Sequence, residues 1–259
     1  MGEKLSRLRR FLIDHPACCY CGDTAETEDH CPARICFRDR IGPEAWSFPA
    51  CRSCNAAISR AEQVVAFYIR VSDFTDENFR DADVQRLMSG VKNNNPEAFP
   101  DLFPSANEKR EMLARLGIRR QPGELLFDEP VVKVPATVGS HMDFFNRKLA
   151  AALFYKQSGQ ILTTKHIVMG RWFQSQDGSA NSIIKALDPA WSHKFVGQRP
   201  NLDFGDQLSI KIAAGAMPEV FSYTVQFSTS ICFWGGAGVP QDEKLHSNWK
   251  PYRAIKDGI

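Results

Sequence analysis

No apolar run in this chain is long enough to span a bilayer. The opening segment, Met1 to Ile13, is basic and then briefly apolar. Phe11-Leu12-Ile13 is too short for a signal-peptide core, and Asp14-His15-Pro16 ends it. An excess of one charge is also missing. The 32 Lys and Arg face 30 Asp and Glu, so no overall basicity advertises a nucleic-acid partner and any phosphate-binding surface must be local. There is no internal repeat and no low-complexity tract. Beyond Cys54 only one cysteine remains, Cys232. Taken together, these absences read as a cytosolic globular chain with no membrane partner, whose thiols stay reduced. Its 259 residues suffice for one large domain or two small ones.

What is present is concentrated at the start. Seven of the eight cysteines fall between Cys18 and Cys54, in a segment rich in proline and charge that cannot build a core of its own. Clustered C-x-x-C pairs in a reducing compartment favour metal over disulfides. Cys18 with Cys21, and Cys51 with Cys54, would present four thiolates to one zinc ion as a closed structural site with no open position for chemistry. Cys19 could stand in for Cys18, and Cys31 or Cys36 could ligate. The two-residue spacing favours Cys18.

Between the pairs lies Glu28-Asp29-His30, and Asn55 directly follows the last cysteine. A carboxylate is a hard oxygen ligand suited to Mg²⁺ or Mn²⁺, and an imidazole can take a proton from water near neutral pH. In an extended segment consecutive side chains point to opposite sides, so Asp29 and His30 share one site only if the backbone bends. A metal clamp would carry Asn55 close to the segment leaving Cys21, where its amide oxygen could join Asp29 on a hard cation. Asn55 is equally placed to be a helix N-cap.

C-x-x-C, Asp-His, then C-x-x-C-Asn resembles the HNH, or ββα-metal (His-Me finger), endonucleases, in particular the zinc-bound branch typified by phage endonuclease VII. The likeness covers about residues 17 to 62. It implies His30 as general base, Asp29 and Asn55 as ligands of a catalytic Mg²⁺ or Mn²⁺, and Cys18, Cys21, Cys51 and Cys54 on structural zinc. It also implies DNA as substrate, with 5′-phosphate and 3′-hydroxyl products. Many members carry an Asn that braces the loop before the second C-x-x-C; here Glu44-Ala-Trp46-Ser-Phe48 stands instead. Arg34, Arg38, Arg52 and Arg60 surround the motif in sequence and could grip phosphates, although each singly also suits a solvated surface.

The expected fold class is α+β: a zinc-stapled ββα module with flanking helices in residues 1–120, then an α+β domain with an antiparallel sheet in 121–259. Helices are expected over residues 2–13, 56–71, about 76–88, 105–117 and 141–157. Residues 90–104 read as a loop, 131–134 and 161–169 as strands, and 208–213 with 221–234 as a hairpin. Two other functions fit the residues. One is a zinc-stapled module that holds nucleic acid without cutting it. The other is a protein-interaction scaffold that recognises its partner through the aromatic run 221–234. Under the nuclease reading, one centre cuts one strand, so double-strand cleavage would call for a homodimer.

Overall fold

The computed structural model describes residues 2–71, 80–101, 104–115, 132–174, 193–195, 204, 206–214, 220–228, 231–239 and 248–259. The chain opens with α1 (Gly2–Asp14). A small hairpin follows, β1 (Thr27–His30) antiparallel to β2 (Ser47–Ala50), with Thr27 opposite Ala50 and His30 opposite Ser47. The hairpin runs straight into α2 (Arg52–Val71). This helix begins four residues earlier than the absence of Gly and Pro suggests, because the second C-x-x-C is itself its first turn: the Asn55 N–H already donates to the Cys51 carbonyl at 3.1 Å. One face of α2 buries Ile58, Ala61, Val65 and Ile69 at helical spacing.

Next comes α3 (Ala82–Asn94), which covers the second half of the helix expected from about 76 to 88; residues 72–79 lie outside the described residues, and the loop expected over 90–104 begins only after Asn94. Asp81 caps it, accepting from the N–H groups of Asp83 and Val84. It passes through Gly90, where the Gln63 side chain of α2 lies against the backbone and leaves no room for a Cβ. The short α4 (Ala106–Arg115) starts with the expected reciprocal cap, the Ser105 N–H to Glu108 Oε2 at 3.0 Å and the Glu108 N–H to Ser105 Oγ at 3.4 Å. The expected 131–134 strand reduces to a single bridge between Lys133 and Asp101, with residue 131 outside the described residues.

The long α5 (Thr137–Ser158) is the middle layer. It packs on α2 on one side and on the main sheet on the other. That sheet has the order β4-β5-β6-β7-β3-β8, from β3 (Ile167–Gln174), β4 (His193–Phe195), β5 (Leu208–Ala214), β6 (Phe221–Phe227), β7 (Ile231–Gly238) and β8 (Lys250–Pro251). All its pairings are antiparallel. β5 and β6 form the expected pair, and the aromatic run splits into β6 and β7. The strand expected from Ile161 instead starts at Ile167, because Thr163 and His166 close a turn, with the Thr163 N–H on His166 Nδ1 at 3.0 Å.

Phe145 of α5 meets Phe227 and Phe233 of the sheet, with ring centroids 6.3 and 5.2 Å away. Asn146 pins the two layers together. Its Nδ2 donates to the carbonyls of Arg171 and Trp234, and its Oδ1 accepts from the Tyr223 hydroxyl at 2.7 Å. Gly170 makes room for this: a Cβ there would lie 2.3 Å from Asn146 Nδ2. The boundary expected near residue 120 lies outside the described residues, and apolar residues on both sides of it share one buried cluster. Among the described residues no helix is long and apolar enough to cross a membrane.

Candidate metal centre and active site

Two tight turns build the cysteine cluster. Gly22, at φ +82°, lets the chain close behind Cys18, whose carbonyl accepts the N–H of Gly22 at 2.8 Å and of Cys21 at 3.4 Å. Across from it, Cys51 precedes α2 and its Sγ accepts the Cys54 N–H at 3.4 Å. The Cys19 N–H donates to the Pro49 carbonyl at 2.9 Å and locks the first turn beside the hairpin. The result gathers Cys18, Cys21, Cys51 and Cys54 with all four Sγ atoms within 4.8 Å of one another; Cys21 and Cys51 are 3.6 Å apart. A tetrahedral ion with sulfur at about 2.3 Å requires sulfurs about 3.8 Å apart, so the set suits a metal such as zinc. The thiols act strongly on one another. The Cys54 thiol bonded to Cys18 helps draw Cys18 down to about 5, the same contact pushes Cys54 up, and burial pushes Cys21 up to about 12. Cys19, Cys31 and Cys36 stay outside the set, buried in the core with burial raising each thiol.

Thr27 and Asp29 lie on one face of β1, Glu28 and His30 on the other: the strand keeps its register through His30, so the bend that would turn Asp29 and His30 to one side is not there. Asn55, in the first turn of α2, reaches the Thr27 side: its Nδ2 donates to Thr27 Oγ1 at 3.4 Å. Asp29 is buried. Its Oδ2 accepts the Tyr20 hydroxyl at 2.6 Å and pairs with Lys148 Nζ at 2.7 Å. Lys148 comes from α5 and is fully buried. It also pairs with Glu62 of α2 and donates to the His30 carbonyl at 3.3 Å. Burial alone would lower the Lys148 pKa, but Asp29 and Glu62 more than offset it, and the ammonium stays charged.

His30 is half-buried, with Nδ1 3.3 Å from Ser47 Oγ, directly across the hairpin. Ser47 thus steadies the imidazole in the stretch where an Asn was lacking. Burial, helped by the Arg34 charge, holds the His30 pKa below the ordinary imidazole range, so the ring is neutral at neutral pH.

The four arginines do not act alike. Arg38 pairs with Asp206, and Arg52 Nε lies 3.4 Å from Glu26 Oε1. Arg34 and Arg60 are exposed; the charge of Arg34 acts on His30 and that of Arg60 on His141. Sequence reasoning missed Tyr20, Ser47, Glu62 and Lys148. Only Lys148 left a trace: a lysine in line with Phe144, Phe145 and Ala152 on an apolar helix face.

No family model matches the chain, and neither curated proteins nor solved structures yield a match.

Proposed function

We propose that this chain is a metal-dependent endonuclease of the HNH type that hydrolyses DNA phosphodiester bonds. The observation that carries the reading is the hairpin-and-helix clamp. A four-cysteine cluster ties β1 and β2 to the start of α2, and Asn55 is bonded to Thr27, two residues from Asp29 on the same face of β1.

The donors suit a hard cation. Both bonds that Asp29 makes go to Oδ2, so its Oδ1 has no partner among the described residues, and the Asn55 amide is fixed through its nitrogen, leaving its oxygen to ligate. Tyr20 and Lys148 then act as orienting groups behind a ligating carboxylate. Mg²⁺ or Mn²⁺ on Asp29 and Asn55 would supply charge neutralisation at the scissile phosphate. His30, neutral and steadied by Ser47, takes the proton from the attacking water. Zinc on the four cysteines holds the frame and takes no part in the chemistry.

Nicking of supercoiled plasmid with added Mg²⁺ or Mn²⁺ tests the reading. His30→Ala protein that retains zinc should cut about 10² to 10⁴ times more slowly, the usual contribution of a general base. Equal cutting by wild type and a zinc-loaded His30→Ala protein would remove His30 from the mechanism. A second reading, a zinc-stapled nucleic-acid-binding or protein-interaction module without cleavage, is favoured by two observations: the Lys148 ammonium already neutralises Asp29, and Asp29 and His30 lie on opposite faces of β1. Zinc-loaded wild type that cuts no form of DNA would select it.

A further inference from the structure

Arg147 and Lys148 are neighbours on α5, yet they face different surroundings. Lys148 turns to Asp29, while Arg147 lines a groove of about 490 Å³ between α5, β3 and the C-terminal segment. Four cations line this groove, Arg147, Arg171, Lys250 and Arg253, against the Asp143 side chain and the carboxylate of Ile259. The side chains of three of them, Arg171, Lys250 and Arg253, are exposed and make no hydrogen bond or ion pair among the described residues, although the Lys250 charge acts on Asp143. The Arg147 guanidinium reaches the Gly258 carbonyl and lies over the Phe144 ring, but its Nε is buried with no partner.

Gathering like charges is unfavourable unless something answers them. Burial, with the Arg253 charge adding to it, holds the Arg147 guanidinium below its ordinary pKa. The carrier of Lys250 and Arg253 is firmly placed: the Tyr252 hydroxyl donates to the Tyr20 carbonyl at 2.7 Å, and Lys256 Nζ meets Asp23 at 2.6 Å. The groove is therefore fixed to the turn that carries Cys18 and Cys21.

We propose that this groove binds the backbone phosphates of a nucleic-acid strand, with Arg171, Lys250 and Arg253 as the phosphate contacts. An unpaired, convergent set of cations with an orphaned guanidinium N–H is what an anion with several oxygens would satisfy. The volume accommodates sugar-phosphate units. The choice of a nucleic acid over another polyanion rests on the endonuclease reading; the anion site itself does not. It also supplies the local phosphate-binding surface that a chain of near-neutral net charge needs for such a partner.

The test is fluorescence anisotropy with a short labelled DNA duplex across a salt series, in a His30→Ala background so that no cleavage intervenes. The variant is Arg171→Ala/Lys250→Ala/Arg253→Ala; Arg147 stays because it also holds Gly258. A charge-matched control, Arg86→Ala/Lys92→Ala/Arg110→Ala, removes three exposed cations from α3 and α4. The groove variant should lose about tenfold or more in affinity, and its salt slope should fall by about 2 to 3, at about 0.9 per phosphate contact. The control should change little. Equal affinity and slope in the groove variant and its parent, with zinc and melting temperature retained, overturn the proposal. So does loss of binding to a nucleoside monophosphate with duplex affinity intact, which would make the groove a small-molecule site. Because cleavage is not the readout, failure of wild type to nick plasmid leaves the binding result standing on its own.

Discussion

Cys51→Ala protein is expected to hold no metal at the four-thiol site and to lose, with it, the fold of the first fifty or so residues. Cys51 Sγ sits 3.6 Å from Cys21 Sγ and accepts the Cys54 N–H, so its removal opens both turns of the clamp at once. Three remaining thiols cannot close a tetrahedron. Metal binding of this kind is folding free energy, about 10–16 kcal/mol for structural zinc in small peptides. A whole domain is typically stable by only about 5–15 kcal/mol. The loss should therefore spread beyond the hairpin: Tyr20, Phe37 and Phe48 belong to the same buried cluster as α2 and α5. Zinc stoichiometry by mass spectrometry and a circular-dichroism melt read the outcome. Cys19→Ala is the control, because Cys19 is buried outside the four-thiol set. Full zinc in Cys51→Ala together with lost zinc in Cys19→Ala would show the ligand set to be wrong.

Why the clamp was legible in the sequence, and much around it was not, follows from how far each interaction reaches along the chain. A C-x-x-C turn is local, and so is the helical spacing of Ile58, Val65 and Ile69 or the cap of Ser105 and Glu108; such features show as patterns in short windows. The choice of Cys18 over Cys19 was equally local. Partners contributed by distant segments leave no such pattern. Arg38 reads as a phosphate contact until Asp206 is found beside it, 168 residues on. Gly90 reads as a loop signal until Gln63 fills the space above it. Ser47 braces His30 only because the hairpin register sets them opposite each other, which the spacing of the two C-x-x-C pairs does not specify. The cationic groove is built from α5, β3 and β8, three segments that no single window spans.

Lys148→Met should be the most damaging single change outside the cysteines. The substitution keeps the length and apolar body of the side chain and removes only the charge. Its ammonium stands between Asp29 and Glu62, donates to the His30 carbonyl and lies 5.6 Å above the centre of the Tyr20 ring. Without it two carboxylates face each other in a dry pocket with no counter-ion. Removing one partner of a buried charge set costs about 3–5 kcal/mol, which for a chain of this size is a fall in melting temperature on the order of 10 °C. The effect should depend on pH, with a definite sign. Burial holds the Glu62 pKa above its ordinary value even with Lys148 present, so charging Glu62 on folding is a cost that appears as pH rises through that pKa. Loss of the ammonium raises that pKa further. The deficit of Lys148→Met relative to wild type should therefore shrink as pH falls toward the ordinary carboxylate range, and Lys148→Met/Glu62→Gln should recover part of it at neutral pH. Melting curves across pH check both statements; a deficit independent of pH would mean that packing, not charge, is what Lys148 supplies. Under the proposed endonuclease activity, nicking by the double variant then separates two roles. If Lys148 only neutralises Glu62, cutting returns with stability. If it orients Asp29 through Oδ2, stability returns while cutting stays low, and the α5 lysine joins Tyr20 as part of the apparatus that aims the carboxylate.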